Sequence, residues 1–182
     1  MAGVTRRRTL GMAGAAAAAP ALSGRPHTPE RIVYVGGYAD GVSVFRMDRH
    51  GALTLAQTVA GVPNPSWLAL HPCGTALYAI SEVSRFNGQA GGGVTALTID
   101  PASGFLTRIN DQIVPGTPAH VAVDPAGGHL VVANYTGANF TVLRLRADGG
   151  VDPVTHAFAV TGIHNGRTGR TPIRSSSTHR RS

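Results

Sequence analysis

The chain has 182 residues, 42% of them hydrophobic, and a formal net charge of +7. All sixteen basic residues are arginine, and eight of them lie in residues 6–8 and 167–181, so the body carries eight arginines against nine acids. Because the positive charge lies at the two ends and no body strand interleaves basic with aromatic residues, the composition argues against a nucleic-acid partner. A single cysteine, Cys73, excludes an intramolecular disulfide.

Residues 1–21 have the order of an export signal. Three arginines at 6–8 precede a weakly apolar run at 11–19, and small residues suited to cleavage follow at Ala19 and Ala21. The pattern resembles a twin-arginine signal, although Thr9 stands where that signal usually has an aromatic residue. We therefore expect a periplasmic or extracellular protein. The run is too short and too weakly apolar to span a membrane. An alanine-rich start without a targeting role is the alternative.

From residue 31 the sequence becomes a series of short predicted strands. Apolar residues alternate with period two, as at 32–35 and 77–80, and Gly, Pro, Asn and Asp separate the runs. The segments 100–104 and 124–128 place Pro and Gly where tight turns require them. No part of the body shows helical periodicity, so the sequence predicts an all-β fold.

The strand pattern repeats about every fifty residues. Similar strands start at Val42, Val94 and Phe140, and residues 68–74 match residues 121–127 at an offset of 53. A period of this length built from short strands is typical of β-propeller blades. Residues 31–160 supply about three blades, whereas propellers typically have about four to eight.

Several motifs closely resemble the opening blades of the lactonase family. They are Asn-Pro-Ser-Trp-Leu-Ala-Leu-His-Pro at 64–72 and the segments 77–82, 86–94, 118–125 and 130–135. That family includes the 6-phosphogluconolactonases and the carboxy-cis,cis-muconate cyclases, built as seven-bladed propellers. The resemblance covers residues 31–160 and implies an enzyme that hydrolyses or forms a lactone. The leading hypothesis is hydrolysis of a small sugar lactone without a cofactor.

Three blades of a seven-bladed parent would leave unpaired strand edges and an incomplete pocket, so we expect the chain as written to lack activity. We interpret residues 161–182 as a disordered basic tail. Family members continue with a Pro-His-Pro-His segment, which a one-base shift before Arg170 would produce from GC-rich codons. Out-of-frame translation is therefore our hypothesis for the tail, with a natural basic tail as the alternative. The oligomeric state stays open.

Lactone opening requires an activated water and a group that stabilises the developing oxyanion. His120 is the candidate general base, since histidine titrates near neutral pH, and Glu82 is the candidate that orients it or activates water itself. Both belong to motifs that match the family. The alternatives are a His120 that satisfies backbone groups in a turn and a Glu82 that braces the glycine-rich loop.

Three further residues are predicted to bind substrate. Asn134 and Tyr135 close a strand at the same predicted mouth, and Arg85 would clamp a phosphate or carboxylate. A packing role for Tyr135 and a solvated Arg85 are the alternatives. The histidines lack metal-ligand spacing, so we predict no metal site.

A non-catalytic, exported propeller binding module is the alternative function, because segments such as 131–137 also occur in propellers without enzyme activity. The segment 82–94 together with His120 favours the enzyme.

Overall fold

A computed structural model describes residues 31–160, which form thirteen strands and no helix. The strands make three blades and one small hairpin. Blade 1 contains β1 (Arg31–Val35), β2 (Asp40–Met47) and β3 (Leu53–Pro63). Blade 2 contains β4 (Leu68–Leu70), β5 (Ala76–Ser81), β8 (Gly92–Ile99) and β9 (Leu106–Val114), and it carries the hairpin β6 (Arg85–Phe86) and β7 (Gln89–Ala90). Blade 3 contains β10 (Pro118–Val123), β11 (His129–Asn134), β12 (Asn139–Arg144) and β13 (His156–Ala159).

The all-β prediction and the blade prediction are confirmed. Each blade is a sheet whose neighbouring strands are antiparallel, and the three repeated motifs lie on β2, β8 and β12. By the same correspondence β1 is equivalent to β5 and β11. Blade 1 therefore has no counterpart of β4 and β10 within residues 31–160. The predicted export signal at 1–21 and the predicted tail at 161–182 lie outside the described residues.

No helix between residues 31 and 160 has the length and hydropathy that crossing a lipid bilayer requires.

The core consists of two layers, one on each side of blade 2. One layer joins blades 2 and 3 through residues such as Tyr78, Ile80 and Leu130. The other joins blades 1 and 2 through residues such as Val44, Leu77 and Leu97. All six residues of β5 are buried, since this strand packs against a blade on both faces. Burial of apolar surface between blades, at about 25 cal/mol per Å², is the main force that holds such a repeat together.

The triple glycine at 91–93 allows close packing at the start of β8. A Cβ on Gly91 would lie 2.5 Å from the Val114 carbonyl oxygen, and one on Gly92 would lie 2.1 Å from Cδ of Pro118. A Cβ on Gly93 would lie 2.6 Å from the buried ring of Phe86. The run therefore fits β8 against β9, against the first strand of blade 3 and against the hairpin. This close packing accounts for a glycine at each of the three positions.

Tyr78 links blade 2 to blade 3, and its ionisation lowers the stability of the fold at alkaline pH. Its buried hydroxyl donates to the Gly149 carbonyl oxygen at 3.0 Å. Burial, aided by the negative charge of Asp148, raises the pKa of Tyr78 to about 12. Tyrosine in the unfolded chain ionises near pH 10, so between pH 10 and 12 the unfolded state loses a proton that the folded state keeps. The stabilisation is complete below pH 10 and is lost as pH rises toward 12.

We therefore expect Tyr78→Phe to cost about 1 kcal/mol at pH 7, because a buried hydrogen bond is lost. Between pH 7 and pH 11, however, the wild-type chain should lose about 1 kcal/mol more stability than the variant. Urea unfolding of both chains at the two pH values measures this difference. Equal losses in the two chains would show that Tyr78 does not titrate with folding.

Candidate functional site

Five connections gather at one end of the three blades, which we call the loop face. They are residues 36–39, 64–67, 82–91, 115–117 and 135–138. Antiparallel order within each blade brings the end of its second strand to the same side as the start of its first. All five predicted site residues lie on or beside this face. His120 lies near the start of β10, Glu82 follows β5, Asn134 ends β11, Tyr135 follows it, and Arg85 opens β6.

The same backbone hydrogen bond sets the loop position in blades 2 and 3. The Glu82 N–H donates to the Asn64 carbonyl at 3.0 Å, and the Tyr135 N–H donates to the Thr117 carbonyl at 2.7 Å. In each blade the acceptor belongs to the connection that leads into the first strand. Positions 82 and 135 are thus equivalent, with an acid in blade 2 and a phenol in blade 3.

The imidazole of His120 is exposed and contacts an indole from the neighbouring blade. Its ring centroid lies 4.3 Å from that of Trp67, with 48° between the ring planes. Trp67 directly precedes β4 and is 45% exposed. Ala119 is the extra residue of a β-bulge in β10, because Pro118 pairs with Asn134 while His120 pairs with Ala133. A bulge changes the direction of the next side chain and is common near active sites.

Trp67 is the functional candidate that the sequence interpretation missed. It stands within the motif at 64–72, and its distance from His120 along the chain, 120 − 67 = 53, equals the repeat offset. Trp67, which directly precedes β4, and His120 on β10 therefore occupy equivalent positions in the repeat. This equivalence with His120 is the feature of the sequence that could have indicated Trp67.

Glu82 joins blades 1 and 2 through its side chain. Its carboxylate Oε2 accepts a hydrogen bond from the hydroxyl of Tyr38 at 3.2 Å. This bond and the charge of Glu82 raise the pKa of Tyr38. Within residues 31–160 no hydrogen bond or ion pair joins Glu82 to His120. Among the described residues His120 contacts Trp67 rather than Glu82, and the roles expected for His120 and Glu82 stay predictions.

The three predicted substrate ligands lie in different surroundings. Asn134 is 4% exposed, and its Nδ2 donates to Asn139 Oδ1 at 2.7 Å and Thr141 Oγ1 at 2.9 Å. Its Oδ1 is buried without a partner among the described residues. Tyr135 is 82% exposed, and the exposed Arg85 donates from Nη1 to the Gly88 carbonyl at 2.8 Å. Substrate binding by these residues stays a prediction, with Tyr135 and Arg85 the accessible members.

In the described part of the chain, no three His, Cys, Asp or Glu side chains lie close enough to hold a metal ion. Cys73 is exposed in the turn between β4 and β5, at the end opposite the loop face. The loop face itself offers an imidazole, a carboxylate, two phenols and a guanidinium.

Comparison with known proteins identifies the family. The family described as "Lactonase, 7-bladed beta-propeller" matches residues 32–179, a range that extends beyond the resemblance found at 31–160. The 6-phosphogluconolactonase of Bacillus subtilis is 34% identical over 137 residues, which are 72% of this chain and 38% of that protein. The 6-phosphogluconolactonase of Formosa agariphila is 31% identical over 137 residues, 71% of this chain and 38% of that protein.

A comparison with a solved structure points to the same family. The periplasmic gluconolactonase of Pseudomonas aeruginosa superposes with a TM-score of 0.63 at 30% identity, covering 71% of this chain and 38% of that one. The chain thus spans well under half the length of the relatives it matches. The family match over most of its residues, together with three adjacent blades, shows that the chain belongs to the lactonase family of seven-bladed β-propellers.

Proposed function

We propose that the loop face of these blades takes part in the hydrolysis of a sugar lactone. The observation that carries the proposal is the exposed imidazole of His120 on a bulged first strand, on the same face as the carboxylate of Glu82. The relatives named 6-phosphogluconolactonase and gluconolactonase support a lactone as substrate.

His120 would supply the proton transfers. As general base it takes a proton from water while the water oxygen bonds to the lactone carbonyl carbon. The tetrahedral intermediate then collapses, the bond from that carbon to the ring oxygen breaks, and the imidazolium returns the proton to the departing alkoxide. The products are an open-chain hydroxy acid and an unchanged imidazole.

Glu82 and Tyr38 would bind the polar edge of the substrate. The Tyr38 hydroxyl donates its hydrogen to Oε2 of Glu82 at 3.2 Å. The pair therefore presents mainly acceptor oxygens on the loop face. Sugar hydroxyl groups, which donate and accept, suit such a pair.

The finer identity of the lactone depends on the exposed Arg85. Its guanidinium would bind a substrate phosphate, because arginine recognises phosphate with directed, charge-assisted hydrogen bonds. A 6-phosphorylated lactone is therefore the substrate we propose first, with the unphosphorylated sugar lactone as the comparison.

The test places these blades in a closed propeller. Residues 31–160 replace the matching segment of Bacillus subtilis 6-phosphogluconolactonase, and acid release from D-glucono-1,5-lactone and its 6-phosphate is followed in a pH-stat. We expect both rates to exceed spontaneous hydrolysis, with the phosphorylated lactone faster. The unmodified host and the 182-residue chain alone are the controls.

A folded graft that hydrolyses neither lactone would contradict the proposal. If such a graft bound a lactone analogue without turnover, the binding-module alternative would be favoured. Circular dichroism and gel filtration establish that the graft is folded before either conclusion is drawn.

A further inference from the structure

We propose that Trp67 and His120 form an aromatic platform on which the ring of a sugar lactone stacks. The identity of the ligand as a sugar lactone rests on the proposed function. The platform itself rests on the geometry of the two rings. Trp67 would then be a substrate-binding residue, a role that the motif at 64–72 did not by itself indicate.

The two rings meet because they occupy equivalent positions in adjacent blades. Residues 67 and 120 stand one repeat apart; Trp67 directly precedes β4, and His120 lies near the start of β10. Those two strands are neighbours in the fold. The bulge at Ala119 sets the direction of the imidazole, and the ring centroids lie 4.3 Å apart. The fold thus places two aromatic groups together on the loop face.

The platform is accessible from solvent. Trp67 keeps 45% of its surface exposed although one side of it contacts His120. Tyr78 and Phe86, which pack blades and the hairpin together, are buried almost completely, whereas nearly half of the Trp67 surface remains exposed. The exposed part of Trp67 is therefore available to a ligand.

The surroundings favour a sugar over a flat aromatic ligand. The Ile80 N–H donates to the Trp67 carbonyl, and the Glu82 N–H donates to the Asn64 carbonyl, so the loop that bears Glu82 lies beside the segment 64–67. A sugar ring offers C–H groups to an aromatic face and hydroxyl groups at its edge. The indole would contact the C–H groups on the face of the sugar ring, and the carboxylate of Glu82 would accept hydrogen bonds from the sugar hydroxyl groups.

The imidazole covers part of the indole. The ring centroids lie 4.3 Å apart with 48° between the ring planes, which is too close for two rings that lie side by side. A ligand ring would therefore stack on the part of the indole that the imidazole leaves exposed. Its ester carbonyl would have to point toward the imidazole for His120 to act on the attacking water.

Tryptophan fluorescence tests the platform directly, because Trp67 is the only tryptophan in the chain. The probe is D-glucono-1,5-lactam, whose ring amide resists hydrolysis, titrated into the full 182-residue chain. We expect a saturable change in emission. Affinities from titration calorimetry should fall about tenfold in Trp67→Ala and less than about threefold in Trp67→Phe, since phenylalanine keeps a stacking face.

Leu70→Ala is the matched control. Leu70 is 54% exposed and lies at the far end of the same short strand. Its replacement should leave the affinity for the lactam unchanged.

Unchanged emission on addition of the lactam would overturn the platform, and so would wild-type affinity in Trp67→Ala. If the alanine variant failed to fold, the emission of the unmodified chain and the phenylalanine variant would still decide. Lactam binding at Trp67 without lactone hydrolysis in the graft would overturn the proposed function alone. Hydrolysis by the graft with a lactam affinity insensitive to Trp67 would overturn the platform alone.

Discussion

Replacement of His120 by asparagine in the grafted propeller is expected to lower kcat for lactone opening by about a hundredfold or more. Asparagine has a similar size and polarity, but it cannot take a proton from water near neutral pH. Because His120 also forms part of the aromatic platform, KM should rise as well, but by much less than kcat falls. Initial rates over a range of lactone concentrations separate the two parameters.

His129→Asn is the control for this substitution. His129 is exposed at the start of β11, at the end of the blade away from the loop face, where its ring nitrogen lies 3.4 Å from the carboxylate of Asp124. The same chemical change there should leave the rate unaltered. A His120→Asn graft that keeps more than about a third of the wild-type kcat would remove His120 from the role of general base.

Gly92→Ala is expected to lower the free energy of unfolding by about 3 kcal/mol. The added methyl group would lie 2.1 Å from Cδ of Pro118 and 2.9 Å from the Ser81 carbonyl oxygen. One neighbour is a proline ring and the other is backbone, so neither can move without shifting a strand. Relief requires blade 3 to move away from β8, which weakens the core layer between blades 2 and 3.

Urea unfolding of the full chain measures this loss against a matched glycine. Gly37 belongs to the loop face, and a Cβ at that position would meet nothing within 4 Å. Gly37→Ala should therefore unfold within about 0.5 kcal/mol of the wild-type chain. If Gly92→Ala and Gly37→Ala unfold at the same urea concentration, the close approach of blades 2 and 3 at Gly92 is wrong.

The repeat made much of the fold predictable. Equivalent motifs at an offset of 53 placed β4 with β10 and β5 with β11. That correspondence also predicts that Glu82 and Tyr135 lie at the same end of their blades. Strand alternation within each repeat is a local property, and local patterns are carried by the sequence itself.

Asn134 shows a signal that the sequence interpretation left unused. Residues alternate along β11, with Leu130 and Val132 buried. Period two therefore assigns Asn134 to the same buried face. Its contacts with Asn139 and Thr141 within blade 3 agree with that assignment. The predicted role of Asn134 as a substrate ligand rests on its place at the strand end alone.

Contacts between blades could not be predicted from the sequence. The pairing of Trp67 with His120 depends on how one blade is rotated against the next and on the bulge at Ala119. The bond between Tyr38 and Glu82 likewise joins two blades. Neither the rotation nor the bulge has a signature in the spacing of apolar residues, so the partner of each candidate residue came only from the structure.

The measurement that tests the loop face most directly is a crystal structure of the grafted propeller with D-glucono-1,5-lactam bound. A catalytic loop face predicts that the lactam ring lies on Trp67, with its carbonyl carbon one water molecule away from the imidazole of His120. A lactam bound at the opposite end of the blades, near the turns at 71–75 and 124–128, would contradict the site proposed for this chain.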